Sequence, residues 1–235
     1  MNGHVVASHA EWLAARKELL AKEKEFTRLR DELSRARRAL PWERVEKPYA
    51  FDAPDGRKTL GDLFAGRSQL AVYHFMFDPE WSEGCKSCSF WADNFNPNVV
   101  HLAQRDVSMV SVSRAPLPQI EAFKRRMGWS FPWVSSAPSD FNRDYHVSFT
   151  KAEAESGEAE YNYRRQRFSG TERPGFSIFF RDSAGAVFHT YSCYARGLDM
   201  MNAGYQILDL VPKGRDEEGL PYPQAWVRWH DRYAG

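Results

Sequence analysis

Two cysteines spaced C-x-x-C, Cys85 and Cys88, are the residues whose types and spacing point most directly to chemistry. They lie in Gly84-Cys85-Lys86-Ser87-Cys88-Ser89-Phe90-Trp91, after the apolar run Leu70–Phe77 and a turn-forming Asp78-Pro79. The segment that follows them has helical spacing. A thiol in the first turn of a helix faces unsatisfied N–H groups and the positive end of the helix dipole, which stabilise a thiolate. In that placement Cys85 is the exposed nucleophile and Cys88 the resolving thiol. Two intervening residues let the sulfurs close a small ring, so the pair can cycle without unfolding. Lys86 adds a positive charge beside Cys85, which lowers its pKa, and Glu83 opposes that effect. Dithiols of this kind span reduction potentials from about −270 to −120 mV. The spacing therefore leaves the direction of electron flow open.

Zinc competes for any C-x-x-C. A closed structural site needs four Cys or His ligands. Here Cys193 is the sole further cysteine, and the seven histidines have no second C-x-x-C or H-x-x-x-H to join. Redox chemistry without a metal or other cofactor is the favoured reading, with a mixed site using Cys193 and a histidine left open. Pro174 is a second candidate. A proline opening the antiparallel strand that faces the pair has no N–H and a fixed φ, which leaves neighbouring backbone free to receive an extended substrate. An ordinary strand-entry proline is an equal alternative. His74, in the strand before the pair, has a proton-transfer role to Cys88 or a place as a hydrogen-bonded core histidine. Trp81 lines the substrate approach or simply packs. Cys193 is read as a buried cysteine after a hairpin strand.

These residues need a scaffold. Leu70–Phe77, apolar except for His74, reads as a central strand covered on both faces. Val107–Val112 and Phe131–Val134 read as further strands, with a helix from Pro116 or Pro118 through Met127 between them. That alternation favours a mostly parallel sheet. Asp55-Gly56 marks one hairpin, and Asp182–Gly185 joins Phe176–Phe180 to Ala186–Tyr191 in another. A final helix is expected over Leu198–Leu210. Residues 151–173, acidic and then basic, read as an exposed insertion. The aromatic segment Tyr222–Tyr233 reads as a tail pinned to the domain surface.

Residues 8–40 read as one long helix, with Ser8 and Glu11 as a capping box and Pro41 as its stop. Trp12, Leu19, Phe26, Leu33 and Leu40 recur every seven residues on a charged rod, interrupted by Lys22. A dimerising arm and a helix laid across its own domain are both consistent with this stripe. The expected division is a helical arm over residues 1–47 and an α/β domain over residues 48–235. The 235 residues carry a formal net charge of +1, with 43% hydrophobic and 14% aromatic content. The chain can bury a sizeable core, and no bulk attraction to nucleic acid or acidic membranes is implied. No apolar run approaches the roughly 18 residues of a membrane span. The first residues lack a signal-peptide pattern. A soluble cytoplasmic protein is the expectation.

Beyond the pair, the chain carries Glu11-Trp-Leu-Ala-Ala-Arg16, Arg37-Arg-Ala-Leu-Pro-Trp42, Tyr73-His-Phe-Met-Phe77, Ser113-Arg-Ala-Pro116, Arg126-Met-Gly-Trp129, Phe141-Asn-Arg-Asp144 and Arg196-Gly-Leu-Asp199. With Gly84–Trp91, these segments resemble the bacterial domain-of-unknown-function family 899 over nearly the whole chain. The resemblance implies a thioredoxin-like three-layer α/β fold, a central mixed sheet flanked by helices, with an added long N-terminal helix. It also implies a dithiol-disulfide oxidoreductase, the activity predicted for that family. Lys86 stands where many relatives are expected to have proline, and Cys193 looks peculiar to this chain.

Three functions follow from these readings. The first is a thiol-disulfide oxidoreductase acting on a protein or small-molecule disulfide. The second is a peroxiredoxin-like thiol peroxidase. Pro79 and Ser82 before Cys85 approach the P-x-x-x-T/S-x-x-C pattern, with the proline one residue too close. The third is a redox-regulated protein, not an enzyme, that binds a partner or a second copy through its N-terminal helix.

Overall fold

The computed structural model describes residues 3–234 and divides into two compact units, Met1–Pro41 and Trp42–Gly235. The first is a single helix, α1 (His9–Arg38), closed at its start by the expected capping box. The Glu11 N–H donates to Ser8 Oγ at 3.4 Å, and the Ser8 N–H donates to the Glu11 carboxylate at 2.9 Å. None of its residues is buried. The boundary falls at Pro41 and not at residue 47, because β1 (Glu43–Arg44) is paired into the sheet of the second unit.

That unit continues with β2 (Ala50–Ala53), β3 (Gly56–Thr59) and β4 (Gln69–His74). After the cysteine loop come α2 (Lys86–Ala92), α3 (Val99–Ala103), β5 (Val107–Ser113), α4 (Leu117–Arg126) and β6 (Trp133–Ser135). The short α5 (Phe141–Asp144) and α6 (Lys151–Ser156) precede a small hairpin, β7 (Glu160–Tyr161) and β8 (Arg164–Arg165). The chain then forms β9 (Gly175–Arg181), β10 (Val187–Tyr194), a 3-10 segment (Ala195–Met201) and α7 (Ala203–Leu208). No helix among the described residues is long and apolar enough to cross a membrane.

Among the described residues, eight strands form one mixed sheet in the order β1-β10-β9-β4-β5-β6-β2-β3. β4 runs parallel to β5 and antiparallel to β9, and β9 pairs antiparallel with β10. A central strand with a helical crossover to its parallel neighbour and an antiparallel hairpin on its other side is a thioredoxin-like core. The hairpin β2–β3 and β6 widen it on one edge.

The sheet is buried on both faces because side chains alternate along each strand. One face packs Ala71, Tyr73, Met109 and Trp133 with Trp91, Phe95 and Phe123 from the helices and their flanks. The other packs Leu70, Val72, Val110 and Phe179 with Phe51, Phe64 and Phe141. His74 belongs to this second face. It is buried, its Nε2 lies 2.8 Å from Ser177 Oγ, and its ring stacks on Phe141 and Tyr145. This is the hydrogen-bonded core histidine of the two readings, on the face turned away from Cys88. Tyr73 faces the cysteines, so its neighbour in the strand faces away.

Three further expectations change. The final helix breaks at Asn202, whose side chain caps α7 by accepting the Tyr205 N–H at 3.1 Å. Cys193 lies within β10, paired with Phe176, and not after the strand. The insertion at 151–173 is not simply an exposed loop. Ala159 and Tyr161 join Val147, Phe149 and Tyr194 in a small separate core, while Glu153, Glu155, Glu158 and Glu160 face outward.

One polar network ties the two loops at the end of β4 and the start of β9 together. Arg114, just after β5, donates to Asp78 at 2.7 Å and to Glu172 at 2.7 Å. Thr171 also donates to Asp78, and Ser148 to Glu172, at 2.8 and 2.7 Å. Burial pushes the Glu172 carboxyl up to about 7, against the pull of the Arg114 charge and the Ser148 hydrogen bond. Replacing Arg114 with Met leaves two carboxyls facing each other without their cation, and should cost about 3 kcal/mol of unfolding free energy in urea titrations. The raised carboxyl also has a pH signature. A group whose pKa is higher folded than unfolded contributes stability that is complete below its unfolded value and is lost as pH rises through its folded value. Glu172→Gln should therefore remove a component of stability loss between about pH 4.5 and 7, read by urea unfolding across that range.

Candidate active site: a thiol at a helix N-terminus

The chain leaves β4, turns at Asp78-Pro79 and is drawn back to the strand end by a hydrogen bond from the Cys85 N–H to the Met76 carbonyl at 3.1 Å. Gly84 sits where nothing larger fits. A Cβ there would approach the rings of Phe75 and Phe123 to 2.7 Å. Its carbonyl accepts the Trp229 indole N–H at 2.9 Å, so the C-terminal tail closes over the loop.

Cys85 then occupies the N-cap position of α2. Its sulfur takes the role usually filled by a serine or aspartate oxygen, accepting the Cys88 N–H at 3.4 Å. Ser89 Oγ donates to the Cys85 carbonyl at 2.9 Å, which fixes the first turn. Cys85 is half-buried and Cys88 is buried, and none of the three cysteines forms a disulfide.

The two thiols are pushed in opposite directions. The Cys88 thiol donates to the Cys85 sulfur and draws its pKa down to about 7. Burial opposes this, while the N–H groups of Cys88 and Ser87 and the charge of Lys86 reinforce it. Cys88 is held well above the usual thiol range by burial, by donating to Cys85 and by the negative charge Cys85 carries. A thiolate poised near neutrality beside a protonated thiol is the arrangement an attacking and a resolving sulfur require. Among the described residues, no three His, Cys, Asp or Glu side chains are grouped to hold a metal.

A cavity of about 230 Å³ opens beside Cys88, and Cys85 does not line it. Cys88, Ser87, Tyr73 and Met76 form one side, and Pro174, Arg196 and Asp199 lie across it. The structure thus brings Pro174 to the cavity that Cys88 lines, with its peptide bond trans and its carbonyl accepting Tyr161 Oη–H at 2.9 Å. Trp81 is half-buried against the surrounding core and does not line this cavity. Lys86 reaches the tail, donating to the Ala225 carbonyl at 3.4 Å with Tyr222 beneath its ammonium. Glu83 is drawn from the thiol by ion pairs to Arg126 and Arg232. A larger cleft of about 530 Å³ lies along β3, α3 and β6, but no thiol lines it, so the smaller cavity is the candidate site.

Two contributors had no sequence signal. Arg173, directly before Pro174, stacks on Phe168 at 3.9 Å, and its charge interacts with Cys85 and Tyr161. Tyr161, from the insertion, is joined to the proline loop and accepts the Ala195 N–H at 3.0 Å. Both come from a segment whose charges read as solvated.

Iodoacetamide should alkylate Cys85 with a rate that rises through a midpoint near pH 7, while Cys88 stays unmodified to far higher pH. Replacing Lys86 with Gln should move the Cys85 midpoint upward. Peptide mass spectrometry of quenched time points measures both.

The fold has likenesses among solved structures. It is similar to peroxidoxin BcpB from Mycobacterium tuberculosis at 13% identity, covering 70% of this chain and 94% of that one, with a TM-score of 0.45. Peroxiredoxin Q from Xanthomonas campestris is similar at 17% identity, covering 67% and 89%, with a TM-score of 0.44. The mitochondrial 2-cys peroxiredoxin from Plasmodium falciparum is similar at 12% identity, covering 70% and 94%, with a TM-score of 0.42. No curated protein matches the chain. A family model described as bacterial protein of unknown function, DUF899, matches residues 1–233, and the chain belongs to that family.

Proposed function

We propose that this protein is a thiol-disulfide oxidoreductase of the reducing cytosol, with Cys85 as nucleophile and Cys88 as resolving thiol. The observation that carries the reading is the half-buried Cys85 sulfur at the N-cap of α2, hydrogen-bonded by the N–H of a buried Cys88. The Cys85 thiolate attacks one sulfur of a substrate disulfide. The substrate S–S bond breaks, its first sulfur leaves as a thiolate that takes a proton from water, and a mixed disulfide remains on Cys85. Cys88 then attacks the Cys85 sulfur and breaks that bond. The second substrate sulfur departs with the proton Cys88 gives up. Two electrons have moved, leaving a Cys85–Cys88 disulfide and two substrate thiols. An extended disulfide segment, from a protein or a small molecule, would enter the cavity beside Pro174 and Arg196.

Thiol peroxidase is the second reading, favoured by Pro79 and Ser82 before Cys85, which approach the peroxidase pattern. There the thiolate attacks a peroxide oxygen, the O–O bond breaks, and sulfenic acid forms with release of water or an alcohol.

Cys85→Ser should abolish reduction of a model disulfide, and Cys88→Ser should accumulate the mixed disulfide on Cys85, seen as a mass adduct. A redox titration in which no Cys85–Cys88 disulfide ever forms sinks the first reading. Fast sulfenic acid formation at Cys85 with dilute peroxide, combined with slow disulfide reduction, moves the assignment to the second.

A further inference from the structure

The helix α1 exposes an apolar stripe that its own unit leaves uncovered. Trp12, Leu19, Phe26 and Leu33 recur every seven residues and are each at least half exposed, Phe26 by 67%. A 30-residue helix with no buried residue lacks the packing that gives most protein helices their stability. The unit is therefore incomplete as a single copy.

The charges flanking the stripe say what completes it. With the four apolar residues at heptad position a, every g position preceding them or lying between them is acidic: Glu11, Glu18, Glu25 and Glu32. Position e carries Arg16, Arg30 and Arg37, with Glu23 as the exception. In a parallel two-stranded coiled coil, each g residue meets the e residue five positions later on the other chain. Glu25 then meets Arg30 of the second copy, and Glu32 meets Arg37, twice each by symmetry. Glu11 is committed to the capping box, so the first heptad adds little. An antiparallel pair would instead set g against g and e against e, acid on acid and base on base.

The remaining heptad explains Lys22, which interrupts the seam at position d. A d side chain packs beside the e residue of the facing helix. Lys22 therefore faces Lys22 of the second copy, with Glu23 of each chain beside the pair, in the one layer where g and e are both acidic. Within a single helix Arg16 already reaches Glu23 at 2.8 Å, so this layer carries its own compensation. A charged layer at one place in the seam also fixes register, because any slip would bury Lys22 against apolar residues.

We propose that α1 is the dimerisation element of this protein, pairing with α1 of a second copy as a parallel, in-register coiled coil. This assignment is independent of the chemistry of Cys85.

Analytical ultracentrifugation of the full chain should give twice the chain mass at micromolar concentration. Phe26→Asp with Leu33→Asp should give a monomer with unchanged domain circular dichroism in the near ultraviolet. Glu25→Arg with Glu32→Arg should weaken the dimer about tenfold or more, and adding Arg30→Glu and Arg37→Glu to the same chain should restore it. Leu33→Cys should form a disulfide from residue 33 to residue 33 under mild oxidation, identified by peptide mass mapping. A monomeric wild type, a dimer indifferent to Phe26 and Leu33, a charge swap that fails to restore association, or a Leu33→Cys variant that does not cross-link to itself would each overturn the assignment.

Discussion

A sulfur in place of an oxygen at a helix N-cap is the interaction on which this structure turns. Side chains at that position exist to accept backbone N–H groups the helix cannot satisfy itself. When the acceptor is a thiol, the same hydrogen bond that starts the helix also stabilises its anion, so local folding and reactivity become one event. The Cys85–Cys88 contact does both, and the buried second thiol helps to hold the Cys85 pKa down. Everything around the pair keeps this first turn in place. The Met76 carbonyl anchors it to the central strand, Gly84 lets it approach two aromatic rings, and Ser89 locks the turn from below.

The facing wall of the site is held by different means. Pro174 stands at the start of β9, 86 residues after Cys88 in a segment that carries no chemistry of its own. Its distance from the thiols is set by the register of β9 against β4, where Gly175 lies opposite His74, and by the Asp78–Arg114–Glu172 network. A buried carboxylate with a raised pKa is a weak way to gain stability. It is a strong way to set geometry, since Arg114 can satisfy both carboxylates only when both loops are in position. The paired loops thus exchange some stability for a defined gap between proline and thiol.

Much of this could be read from residue order alone. The continuous apolar run before the C-x-x-C located the central strand that leads into the cysteine turn, since such a run is what a strand buried on both faces requires. The capping box and seven-residue period gave α1 nearly to the residue. The same continuous run is why His74 could not be placed: without alternation, nothing in Leu70–Phe77 tells which face a given side chain takes. The roles of Arg173 and Tyr161 were hidden for another reason. Lys151–Glu160 and Arg164–Arg167 present their charges outward, and that outer face masks the few apolar positions, Ala159 and Tyr161, that pack the segment into a small core beside Pro174. Glu172 reads as one more surface acid because its partner Arg114 lies 58 residues earlier.

The tail has a temporal meaning as well as a spatial one. Trp229 bonds to Gly84 across 145 residues of chain, and Ala225 holds Lys86 across 139. During synthesis, the strand, the loop and both thiols emerge from the ribosome long before the segment that clamps them. Contacts this distant in sequence are among the last that folding can form. A nascent chain therefore exposes the cysteines in an unclamped turn, and the finished arrangement around Gly84 and Lys86 appears only once the chain has been made through Trp229. The bond between Trp229 and Gly84 ties a late-made segment to the turn that carries Cys85.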